Sequence, residues 1–219
     1  MTSDQYHRLH SITITHGNIK EISAECEHLN IRGSATIYQE IHLKKISTHG
    51  YSSFHSPVSA DVLKNTGTCI LKDNCEFNEI VNAGHLKMKN GQSTSIRSSG
   101  SLTIEQMLQT EYLDSIGMLK AKEIQAKNFQ LRLAGSSEIE RLIAEEVNIE
   151  KDRISFSLFK KKLFCKYMSG KNLKLSNTDA EIVEGNFVVI GGNCNIQTLY
   201  YKEDYKISPN AKVQQIVRR

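Results

Sequence analysis

The stretch GSATIYQEIHLKKISTHG, Gly33 to Gly50, decides the fold. Between its glycines, apolar or small residues fall in three couples: Ala35 and Ile37, Ile41 and Leu43, Ile46 and Thr48. Each couple is spaced i, i+2, which puts both side chains on one side of a short strand. Three short strands returning to a glycine after 17 residues describe one triangular coil. The glycine belongs at a corner, where the backbone needs an unusual φ or a close approach.

The same unit extends in both directions. Glycine stands at 17, 33, 50, 67, 84, 100, 117 and 135, in steps of 16 to 18 residues. Four positions before the glycines from Gly33 onward stand Leu29, Ile46, Leu63, Ile80, Ile96, Leu113 and Leu131, all aliphatic. Four positions after them stand Ile37, Phe54, Leu71, Met88, Ile104, Ala121 and Ile139, all apolar. A single coil cannot bury its apolar edge, but stacked coils turn each inward position into a continuous ladder. After Gly135 the glycine marker fades while couples persist, such as Leu173 with Leu175, Ala180 with Ile182 and Cys194 with Ile196. The expected architecture is therefore all-β: an elongated, single-stranded parallel β-helix over residues 11–219, preceded by a short tail, residues 1–10. Local propensity dissents in two places. Residues 102–131 and 136–149 carry strong helix formers, and Ser137 with Glu140 forms an S-x-x-E capping pattern. The unbroken repeat register overrules both.

The bulk properties exclude several function classes. A formal charge of +4 spread along the chain is not the clustered basic face of a nucleic-acid binder. Five cysteines, an odd number without CxxC, predict buried thiols in a reducing compartment. No apolar run approaches a membrane span, and the expected location is cytoplasmic, with contact at the inner face of the membrane as an option. The eight histidines match no metal or catalytic spacing, so they are expected at solvated corners and faces. Cys69, Cys75 and Cys194 fall at inward positions, and Gly191-Gly192-Asn193 fits a tight turn better than a phosphate loop. No catalytic, cofactor or metal residue is assigned.

The most distinctive local segment is RISFSLFKKKLFCKY, Arg153 to Tyr167. Lys160, Lys161 and Lys162 beside Phe159 and Phe164 form a candidate membrane or partner patch. The competing expectation, which we favour, is one coil with apolar side chains inward and lysines in water.

Rows such as LNIRGSATI and NAGHLKM, together with the run VVIGGNCNIQTLYYKEDYKISPNAKVQQI, resemble the bactofilins of Gram-positive rod-shaped bacteria over nearly the whole chain from about Ser11. The resemblance implies a right-handed β-helix, filaments that form without nucleotide, and a cytoskeletal role in cell shape, envelope organisation or motility. The N-terminal ten residues depart from the family's short apolar membrane-binding stretch: only Met1, Tyr6 and Leu9 are apolar or aromatic. The expected mechanism is end-to-end pairing of open coils at Ile12 and Ile14 and at Val213 and Ile216. The expected partner is a second copy or a paralogous chain, with membrane-associated or flagellar partners as further candidates. Two alternatives compete. One is a non-polymerising adaptor. The other is an acyltransferase of the hexapeptide-repeat class, whose six-residue period fits these couples poorly.

Overall fold

A computed structural model describes residues 10–152 and 161–219. The chain forms two compact units, Met1–Glu105 and Gln106–Arg219. Both are parallel β-solenoids, and the described residues contain no helix.

The first unit contains β1 (Ser11–Ile19), β2 (His28–Ile37), β3 (Ile41–Thr48), β4 (Tyr51–Phe54), β5 (Val58–Asn65), β6 (Thr68–Asn82) and β7 (His85–Ser98). They stack in the order β1-β2-β3-β5-β6-β7, with β4 between β2 and β6. The register follows the repeat. Leu29 lies beside Ile46, Ile46 beside Leu63, Leu63 beside Ile80 and Ile80 beside Ile96. All five are buried, each contributing roughly 1.5–3 kcal/mol of apolar burial. β6 shows the three couples of one coil directly: Cys69 with Leu71, Cys75 with Phe77, and Ile80 with Asn82 are all buried.

The predicted corner glycines line up. A Cβ on Gly50 would strike the Gly33 carbonyl oxygen, one on Gly67 that of Gly50, and one on Gly84 that of Gly67. Close backbone stacking therefore selects glycine along this column. A left-handed backbone selects it elsewhere, at Gly17 (φ 130°) and Gly117 (φ 137°).

β8 (Ser101–Leu133) continues into the second unit, followed by β9 (Ser136–Lys151), β10 (Lys162–Leu175), β11 (Thr178–Ile190), β12 (Asn195–Ile207) and β13 (Lys212–Arg218). One ladder runs Ala121, Ile139, Cys165, Ala180, Ile196, Val213. Another runs Ile124, Leu142, Met168, Val183, Leu199, Ile216. Both segments with helical propensity are strands, because Leu142, Ala144, Val147 and Ile149 each complete a rung that a helix would abandon.

Two details of the sequence reading change. Val183, not Ile182, is the fully buried partner of Ala180, because a corner residue intervenes. The other concerns the segment Arg153 to Tyr167, of which residues 153–160 lie outside the described residues. β9 and β10 pair with a 26-residue offset, Ser136 beside Lys162, where the next step, Leu163 beside Thr178, takes 15. Leu163 and Cys165 instead complete the rung beside Ser137 and Ile139.

Candidate assembly edges

Among the described residues β1 pairs with β2 alone, and β13 with β12 alone. Each is thus hydrogen-bonded to a neighbouring strand on one side only, the condition of an open sheet edge. The inward ladders terminate at these edges. Ile12 sits on Leu29 and Ile14 on Ile31, while Val213 sits on Ile196 and Ile216 on Leu199. Their burial differs. Ile14 is 7% exposed and Ile12 half-buried, whereas Ile216 is 41% exposed and Val213 half-buried. The β13 edge therefore displays the larger apolar surface.

Sequence reasoning missed part of this edge. β13 covers only the Asn195–Tyr201 part of β12, so Asp204–Ile207 is hydrogen-bonded to β11 alone. Tyr205, stacked on Val188, is exposed there, with its ring 4.6 Å from that of Tyr201. The signal was the i, i+2 couple Tyr205 with Ile207. Arg219 fastens the end of the last strand. Its guanidinium donates to Glu184 at 2.8 Å and lies 3.9 Å from the centre of the Tyr200 ring.

A second missed feature is a polar ladder inside the first unit. Thr48 donates to Asn65 Oδ1, and Asn65 Nδ2 donates to Asn82 Oδ1, both at 2.7 Å. Asn82 Nδ2 donates to Ser98 Oγ at 2.9 Å. Asn65 and Asn82 also accept from the backbone N–H of the corner glycines, Gly67 and Gly84. These groups stand two positions before successive repeat glycines, which was the available signal.

The other candidates lie apart. Phe159 and Lys160 of the basic patch fall outside the described residues. Lys161 donates to the Asp152 carbonyl, Lys162 pairs with Asp179 at 2.6 Å, and Lys166 pairs with Glu140 at 3.6 Å. These acidic partners offset the positive charge of the described part, leaving Phe164, 45% exposed, as its apolar member. All five cysteines are free and buried. Burial pushes the thiols of Cys69, Cys75 and Cys165 up to about 12, and raises Cys26 and Cys194. At neutral pH they remain neutral core groups rather than thiolate nucleophiles. The described histidines are dispersed along corners and faces. His42 meets Ser59, His49 meets Thr66, and the Lys72 ammonium donates to His55 Nε2 at 2.9 Å. Among the described residues no cluster of three or more His, Cys, Asp or Glu side chains could hold a metal ion, and no helix is long and apolar enough to cross a membrane.

Two proteins of Bacillus subtilis share short stretches with this chain. The uncharacterized protein YhbE is 40% identical over 52 residues, 24% of this chain and 22% of the relative. The uncharacterized protein YhbF is 27% identical over 79 residues, 36% of this chain and 34% of the relative. Each match thus spans about a third or less of the relative's length. No family model and no solved structure matches the chain.

Proposed function

We propose that this protein is a non-enzymatic structural scaffold that assembles end to end into filaments without nucleotide, as its resemblance to the bactofilins implies. The observation that supports this reading most is the β13 edge, where, among the described residues, the inward ladders end on Val213, Ile216 and Tyr205. A strand of a second copy placed on that edge would continue the internal hydrogen-bond ladder and cover the apolar rung in one step. Nothing in that contact calls for nucleotide hydrolysis. The scaffold would serve cell shape, envelope organisation or motility from the cytoplasm.

Charged side chains at the end rungs test the reading. Val213→Lys with Ile216→Lys at one edge and Ile12→Asp at the other are expected to abolish sedimentable polymer. Lys122→Glu on a lateral face should leave it intact. Sedimentation of the edge variants identical to that of the parent would exclude these edges as the contacts.

A further inference from the structure

The second unit carries a groove on one flat face, of about 480 Å³, that assembly through strand edges does not use. Its floor is built from two outward columns. Asn128, Glu146, Asn172 and Phe187 are neighbours on successive rungs, and so are Gln130, Asn148, Lys174 and Val189. The side chains between them point inward: Phe129, Val147, Leu173 and Val188 are buried and hold the face rigid.

Two properties distinguish this face. First, four of its polar side chains are left over. Elsewhere amides bond from coil to coil: Asn78 to Asp61, Asn90 to Asn74, Gln109 to Gln125 and Asn193 to Asn177. In the groove Asn172 Nδ2 likewise donates to Glu146 at 2.6 Å, but Asn128, Gln130, Asn148 and Lys174 have no side-chain partner among the described residues, and Asn148 Oδ1 is buried without a hydrogen bond. Second, exposed aromatic rings line the groove with them. Tyr112 is 51% and Phe187 50% exposed, although neither is needed for the core.

We infer that this groove binds an extended oligosaccharide. Aromatic faces stack on the C–H faces of sugar rings, while amides and an ammonium meet ring hydroxyls as both donors and acceptors. The rungs from Asn128 to Phe187 span ~14 Å, and Tyr112 also lines the groove, so the ligand needs several sugar units to touch both rings. The carboxylates of Asp114 and Glu146 in the same groove disfavour a polyanion such as nucleic acid. Addition of a peptide strand is disfavoured because the floor strands are already paired with their neighbours and leave no open backbone edge.

The test is a glycan array probed with the full chain, covering neutral, amino-sugar and uronic-acid oligosaccharides, followed by titration calorimetry on the best binder. Binding is expected for an oligosaccharide of three or more units, with the corresponding disaccharide at least tenfold weaker. Tyr112→Ala and Phe187→Ala should each raise Kd at least tenfold without changing the melting temperature, since both rings are exposed. Asn148→Leu should weaken binding similarly. An array with no bound glycan would overturn the inference. So would binding unchanged in the Tyr112→Ala, Phe187→Ala double variant, or a groove occupied by nucleic acid or an extended peptide instead. The outcome is independent of assembly, because neither column lies on a strand edge proposed to join copies.

Discussion

At the scale of the residue, the corner of the first unit works through two coupled columns. The glycine column permits backbone to lie against backbone, and the Thr48–Asn65–Asn82–Ser98 ladder satisfies the polar groups that the turn leaves inside. Asn82 bonds at once to Ser98 Oγ and to the carbonyls of Gly84 and Ser101. Replacing it by alanine strands several buried partners, so Asn82→Ala should cost roughly 2–3 kcal/mol in urea unfolding. Gly67→Ala should cost about 3 kcal/mol or more, because the obstacle is the rigid backbone of Gly50. Gly135→Ala should cost less than about 1 kcal/mol, because its Cβ meets Cγ of the flexible, half-exposed Met118 side chain at 3.2 Å rather than backbone. Thiol titration carries a pH signature. Cys69, Cys75 and Cys165 shift from 9.0 in the unfolded chain up to about 12 in the fold. The folded state then holds more protons than the unfolded state between these values. The associated stability is complete below pH 9 and lost as pH climbs towards 12. Denaturant midpoints measured from pH 8 to 11 should fall steadily above pH 9, while thiol reagents at pH 8 should label the five cysteines only after unfolding.

At the scale of the element, β9 shows how context defeats propensity. SSEIERLIAEEVNI favours a helix by itself, yet in the chain Ile139, Leu142, Val147 and Ile149 each join rungs continued by Cys165, Met168, Leu173 and Leu175. A peptide of residues 136–151 should turn helical in trifluoroethanol by circular dichroism, whereas the intact protein should show a β spectrum alone. The repeat was legible because glycine and the aliphatic positions return together. The corner ladder was less legible: Thr48, Asn65 and Asn82 share a column only once the stacking is known, and their side chains differ. The β9–β10 step was illegible because nothing in the sequence marks its 26-residue offset. Only the pairing of Ser136 with Lys162 fixes it.

At the scale of the whole molecule, the fold class follows from sequence periodicity, while the proposed job rests on the strand edges left unpaired among the described residues. Ile12, Ile14, Val213 and Ile216 were legible as end rungs because they continue known columns; their unequal exposure was not, since it depends on how far each last strand reaches. The groove between Tyr112 and Phe187 was hidden for a related reason: its members are dispersed over five coils and meet only across the stack. Negative-stain electron microscopy of the purified, nucleotide-free protein, beside the Val213→Lys, Ile216→Lys variant, tests the central claim most directly. The account predicts filaments from the parent protein and dispersed particles from the variant. Dispersed particles from both, at concentrations where the protein stays folded, would contradict it.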